Sequence, residues 1–282
     1  MKINVIADVH GRYNALKELI KIMPGANEMV LLGDLIDRGR NNVEVMEFVI
    51  KNNIKSVLGN HDFLFLYYMK EEHDFFSMLS KDDKNIVKNA YQVGHFGFIE
   101  EIDEKLKDGK DKFIQDVIQY IKAMPVKIEY DDIYISHTPF IKPVEDIVKV
   151  AGLKELMFNR EEINSIPDKF HVFGHMGRQK NYTYIEEEMK ESKITSDYNY
   201  KVGNAVCIDG MKDYLIGANI DTETHEIEFY IVNGNREWND NFGVDYNRTP
   251  KELKSIEEFI DNIELNRKKR KKKRRSSRNK KR

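Results

Sequence analysis

Glu28-Met29-Val30-Leu31-Leu32 runs directly into Gly33-Asp34-Leu35-Ile36-Asp37-Arg38-Gly39. A short apolar run closed by glycine reads as a buried strand, and the two carboxylates and the guanidinium behind it occupy the turn at its carboxyl end. Parallel α/β sheets bind their ligands at such ends. The charges of this turn therefore mark a site.

Working outward, the same unit recurs on both sides. Lys2 to Asp8 is a short strand, and Asn14 to Met23 spaces Leu16, Leu19, Ile20 and Met23 at helical intervals until Pro24-Gly25 stops it. Val43 to Ile50 is helical, and Ile54 to Leu58 is a third strand ending in Gly59-Asn60-His61-Asp62. Strand, polar turn and helix, repeated, predict an α/β fold with a mostly parallel sheet. Phe63 to Met124 is mainly helical and reads as an inserted layer, in which His73 and His95 are surface or capping residues.

Strands resume at Val126 to Tyr130 and Ile133 to Ser136, joined by the hairpin signal Asp131-Asp132 and followed by His137. Lys154 to Ile163 is helical and carries Phe158-Asn159-Arg160-Glu161, and Phe170 to Phe173 is a strand ending in Gly174-His175. Ala205 to Asp209, Tyr214 to Ile220 and Glu226 to Val232 predict a closing antiparallel sheet. Thr249-Pro250-Lys251-Glu252 is a capping-box start for a last helix over 249–266 that packs on a main domain of residues 1–248.

The 282 residues hold 40% hydrophobic and 33% charged side chains, and their net charge of -2 conceals a division. Arg267 to Arg282 carries 13 Lys and Arg and no acid, which leaves -15 for residues 1–266. The body is too acidic for broad nucleic-acid adhesion, whereas the tail is expected to be disordered and to attract a polyanion such as nucleic acid. No apolar run approaches the roughly 18 residues of a membrane span. The single Cys207 permits no internal disulfide, so the expected location is cytoplasmic, or nuclear if the source is eukaryotic.

Asp8, His10, Asp34, Asp37, Asn60, His61, His137 and His175 fall at successive element ends. Imidazoles and carboxylates in this number, without cysteine, suit hard to borderline divalent cations and exceed what one tetrahedral zinc needs. Two ions sharing a carboxylate would use the set. Asp8 and His10 point to the same side of an extended strand end and can bind one ion. Asp34 can bridge, and Asn60, His137 and His175 complete the second. The ions would lower the pKa of a shared water for direct phosphoester displacement. His61 is placed to protonate the leaving oxygen with Asp37 holding its other ring nitrogen, and Arg38 and Arg160 offer planar forks for phosphate oxygens. His171 and His225 lack partner motifs and read as structural.

Asp8-Val9-His10-Gly11, Gly33-Asp34-Leu35-Ile36-Asp37-Arg38-Gly39 and Gly59-Asn60-His61-Asp62, followed by His137 and Gly174-His175, resemble the phosphoprotein phosphatase family within the calcineurin-like metallophosphoesterases. Its lambda-phage type carries a Trp-Asn-Arg-Glu motif similar to Phe158-Asn159-Arg160-Glu161. The resemblance covers about residues 1 to 235. It implies a four-layer α-β-β-α sandwich of two mixed sheets flanked by helices, with a dinuclear metal site, manganese first and iron or zinc as alternatives. It also implies the roles given above for the ten residues. Ala7 departs from the usual Gly, Asp62 from Glu and Met176 from Thr, and no Asn-Gly-Gly segment is evident near Tyr91 to Gly97.

The resemblance implies a serine/threonine protein phosphatase acting on phosphoproteins or phosphopeptides. Asp37 separates it from the symmetrical dinucleoside tetraphosphatases, in which Ala is typical there. The alternative, a nucleotide or RNA-end phosphatase anchored by the basic tail, has the same chemistry and a different substrate.

Overall fold

β1 (Lys2–Ile6), β2 (Glu28–Leu31) and β3 (Lys55–Ser56) form the parallel core of a five-stranded sheet ordered β10-β9-β1-β2-β3. β9 (Tyr214–Asp221) pairs antiparallel with β1, and β10 (Ile227–Asn233) antiparallel with β9. The computed structural model describes residues 1–69, 97–139, 157–158, 169–175, 201–202, 205–210, 214–234 and 237. All of them lie in one unit, Met1–Val244, and a second unit comprises Asp245–Arg282. The helix expected over 249–266, the tail, His73, His95 and Arg160 fall outside the described residues.

The second sheet is ordered β4-β5-β6-β8-β7, with β4 (Lys127–Tyr130), β5 (Ile133–Ser136), β6 (Phe170–Phe173), β7 (Lys201–Val202) and β8 (Ala205–Cys207). β5, β6 and β8 are mutually parallel, while β4 and β7 pair antiparallel at the two edges. Asp131 takes φ 50 in the β4–β5 hairpin, as the Asp-Asp signal requires. The fold is thus α/β with two mixed sheets, as expected.

Two readings change. The closing antiparallel sheet divides: β8 extends the second sheet beside β6, and β9 and β10 extend the first beside β1. Gly210, just beyond β8, lies close against the start of β9: a Cβ on it would be 2.3 Å from the Tyr214 carbonyl. Alternation of side chains defines strands and says little about which strand lies alongside. In addition, Asn60 and His61 sit in the first turn of helix α3 (Asn60–Tyr68), ahead of the expected start at Phe63. Asp62 accepts from the Gly59 amide at 3.2 Å and starts the helix earlier.

The alternation of β1 explains why its sequence is apolar nearly throughout. Ile3, Val5 and Ala7 pack between the sheets against Val30, Leu32, Ile133, Ile135, Val172 and Val206. Ile6 points the other way, into a cluster with α1 (Tyr13–Ile22), α2 (Asn42–Lys51), α3, α4 (Gly97–Lys105) and α5 (Lys110–Lys122). Each such aliphatic side chain contributes roughly 1.5–3 kcal/mol when fully buried. This packing fixes two sets of three parallel strands, one in each sheet, whose carboxyl ends deliver their loops to one place.

Candidate active site

Asp8 follows β1, Asp34 follows β2, Asn60 follows β3, His137 follows β5 and His175 follows β6. The loops interlock through backbone and ligand-type atoms. The Gly174 amide donates to the His137 carbonyl at 3.0 Å, the His175 amide to Asp8 Oδ2 at 3.2 Å and the His61 amide to Asp34 Oδ1 at 2.9 Å. His137 Nδ1 reaches across from the second sheet to the Leu32 carbonyl at 2.7 Å. One site therefore joins both sheets.

Close approach requires glycine here. A Cβ on Gly59 would lie 2.1 Å from the Asp34 amide and 2.4 Å from its Oδ1. The backbone is also strained: His10, Asp34, Asp37, Arg38 and His175 all have positive φ, between 47° and 68°. Left-handed backbone costs a non-glycine residue roughly 1–2 kcal/mol. Strain of this kind persists where surrounding contacts over-determine it, and it collects at functional sites.

Two triads of ligand-type atoms converge. His10, Asp34 and His61 lie within 4.8 Å of one another, as do Asp34, His137 and His175, so Asp34 belongs to both. The ring tautomers suit a cation. A backbone carbonyl can only accept, so His10 Nδ1, 3.0 Å from the Ile36 carbonyl, and His137 Nδ1 carry protons. Their Nε2 lone pairs then face inward: that of His10 lies 3.5 Å from Asp34 Oδ2, and that of His137 2.9 Å from Asn60 Oδ1. Metal-binding histidines characteristically donate their outer N–H in this way.

The charges agree. Asp8 Oδ1 is buried with no hydrogen-bond partner among the described residues. Burial, then the nearby Asp209 and Asp34, push the Asp8 carboxyl well above the usual range. Burial, then His61 and Arg38, pull His10 well below its usual value and keep it neutral, as a ligand must be. Unmatched carboxylate charge and inward lone pairs in one buried place fit divalent cations.

His61 differs from its neighbours. Its Nδ1 donates to Asp37 Oδ2 at 2.8 Å, with the two side chains 7% and 5% exposed, and its Nε2 lies 3.9 Å from Asp34 Oδ2. A carboxylate partner makes a better proton holder than a carbonyl does. Arg38 is partly exposed and close enough to influence His10.

Several residues here went unnoticed in the sequence. Arg12 is buried beneath the first loop, with Nε on the Val9 carbonyl at 2.9 Å and Nη2 on the Asp8 carbonyl at 2.5 Å. Asp209 adds negative charge beside Asp8 from the end of β8. Asp62, named only as a departure from Glu, accepts from the Leu35 amide at 3.0 Å as well as from Gly59, tying the two motif loops together. Position at a strand end was a usable signal for Asp209; nothing in the sequence announced a buried arginine.

A family model described as calcineurin-like phosphoesterase matches residues 1–208. A symmetrical bis(5'-nucleosyl)-tetraphosphatase of Actinobacillus pleuropneumoniae serotype 3 (strain JL03) is 43% identical over 63 residues, 21% of this chain and 23% of that protein. One from Buchnera aphidicola subsp. Baizongia pistaciae (strain Bp) is 48% identical over 62 residues, 20% of this chain and 22% of that protein. The chain thus spans less than a quarter of the length of these curated relatives. Among solved structures, a serine/threonine phosphatase from Saccharomyces cerevisiae aligns with TM-score 0.49 and 13% identity, over 83% of this chain and 80% of that one.

Proposed function

The chain belongs to the calcineurin-like phosphoesterase family, hydrolases that use a dinuclear metal centre, and from that premise we propose that it is a phosphomonoesterase of the protein-phosphatase kind, cleaving phosphoserine and phosphothreonine. The carrying observation is the buried hydrogen bond from His61 Nδ1 to Asp37 Oδ2 at 2.8 Å. An alkoxide is a poor leaving group, comparable in basicity to the hydroxide of water with its pKa of about 15.7. A terminal phosphate, with a second pKa of about 6, leaves far more readily. A held imidazolium is therefore most useful when the bond to be cut joins phosphorus to an alcohol oxygen.

In this reading Asp8, His10 and Asp34 would hold one ion, and Asp34, Asn60, His137 and His175 the other. The bound pair, for which manganese is the first choice and iron or zinc the alternatives, supplies Lewis acidity and an activated water. Arg38 orients the phosphoryl oxygens by bidentate hydrogen bonds, aided by Arg160. His61 delivers a proton from Nε2 to the leaving oxygen while Asp37 fixes the ring and balances its charge. Arg12, Asp62 and the tautomer-setting carbonyls of Ile36 and Leu32 keep these groups in place.

A second reading is favoured by the names of the curated relatives: hydrolysis of symmetrical dinucleoside tetraphosphates. Its leaving group is a nucleotide phosphate, which departs without a proton. Turnover of phosphoserine peptides and of dinucleoside tetraphosphate by the manganese-loaded protein separates the two. We expect at least a hundredfold higher kcat/KM on the peptide; a preference of that size for the nucleotide would establish the second reading instead.

A further inference from the structure

Glu101 lies in α4, in the helical insertion, remote in sequence from every motif of the site. Its side chain is 5% exposed, and both carboxylate oxygens are engaged with the start of α2. Oε2 accepts from the Asn42 amide at 3.0 Å and from Asn42 Nδ2 at 2.6 Å, and Oε1 from the Val43 amide at 2.9 Å. Lys105, one turn on, adds a bond to Oε1 at 2.9 Å and a second link to Glu44. An isolated buried carboxylate would be costly; here four donors and the positive end of a helix hold it.

The chain of contacts continues into the site. Asn42, fully buried, also donates from Nδ2 to the Gly39 carbonyl at 3.0 Å. Gly39 is pinned on its other face: a Cβ there would lie 2.1 Å from the His10 carbonyl, and the Asn41 amide donates to the Gly11 carbonyl at 3.0 Å. Immediately before Gly39 stand Asp37 and Arg38, both at φ 68. Two consecutive non-glycine residues in the left-handed region are strained, and something must hold them there. On one side Asp37 is held by His61. On the other the hold passes through Gly39 and Asn42 to Glu101.

We infer that Glu101 is a positioning residue which, through Asn42 and the Gly39 carbonyl, keeps the strained Asp37-Arg38 turn in the conformation that aims Arg38 at the phosphate. The inference rests on the phosphate-holding role proposed for Arg38. It makes the helical insertion a working part of the phosphate site, because a helix within that insertion, α4, supplies the carboxylate. It also gives Asn42 a second task beyond starting α2.

The test uses the full-length, manganese-loaded protein and inorganic phosphate, titrated calorimetrically, with metal content measured in parallel. Glu101→Gln replaces an acceptor by an amide that presents its own N–H groups to the donors of Asn42 and Val43. It should weaken phosphate binding by about tenfold, a typical coupling between contacting residues. Bound manganese should stay at the parental level. In an Arg38→Ala background, itself weakened, Glu101→Gln should cause no further change. Asn42→Ala leaves the Glu101 bonds to the α2 amides but cuts the bond to Gly39, so it should behave alike and carries the test if Glu101→Gln does not fold. Parental phosphate affinity in both variants, an equal loss with and without Arg38, or a loss of manganese would each overturn the inference. Arg38→Ala with parental affinity would overturn the role of Arg38 itself, and this inference with it.

Discussion

Asp37→Asn isolates the contribution of one carboxylate. Asparagine tolerates the left-handed backbone as aspartate does, so the φ of 68 at this position is retained and the side-chain volume hardly changes. What is lost is the charge opposite His61 at 2.8 Å, in a pair almost completely shielded from water. A hydrogen bond to a charged partner contributes about 1.5–3 kcal/mol. At 1.36 kcal/mol per tenfold change in rate this is roughly 10 to 150-fold. The loss should appear in full with a phosphoserine peptide, whose alkoxide must be protonated. With p-nitrophenyl phosphate, whose phenolate leaves readily, it should stay below about threefold. Steady-state kinetics on both substrates, with manganese content and circular dichroism verified, provide the comparison. An equal loss on both would refute the assignment of His61 and Asp37 to the leaving group.

Three other outcomes are expected. His171 is buried in β6 with Nε2 2.6 Å from Ser136 Oγ, and burial pulls its pKa from 6.5 down to about 3. Between these values the unfolded chain binds the extra proton, so this histidine makes stability fall as pH drops from about 6.5 towards 3; in His171→Leu, thermal melting followed from pH 7 to pH 4 should decline less steeply than in the parent, and an unchanged slope would contradict the shift. Gly59→Ala puts a methyl group against Asp34, so it should lower bound manganese by more than half and destabilise the protein by about 1–3 kcal/mol, measured by metal analysis and urea unfolding; full metal content would contradict the packing. Removing residues 267–282 should leave kcat/KM on p-nitrophenyl phosphate unchanged and abolish retention on heparin, because the body carries -15 without them; a large fall in turnover would place the tail at the active site.

The site was legible to the extent that chemistry and strand ends coincide. Asp8, Asp34, His137 and His175 could be placed because each follows an apolar run, and the fold carries those ends together. Asn60 and His61 were read one element too early, since a helix that starts at the motif itself has no polar spacer to reveal it. β9 and β10 pair antiparallel as expected, whereas β8 belongs to the other sheet, because a strand's alternation is the same in either sheet. Arg12 escaped notice because arginine is normally a surface residue, whereas here partners that include the Val9, Asp8 and Tyr214 carbonyls hold it buried. Glu237 escaped for a related reason: it caps the amides of Asn14 and Ala15, more than two hundred residues away, and no local pattern records that. No helix among the described residues is long and apolar enough to cross a membrane.

The central claim is that Asp34 lies between two metal ions. Crystals of the manganese-loaded protein, measured with X-rays at the manganese absorption edge, test it directly. Two anomalous peaks roughly 3.5–4 Å apart on either side of the Asp34 carboxylate, with His10 at one and His137 and His175 at the other, are the predicted result. A single peak, or a pair to which Asp34 makes no contact, would contradict it.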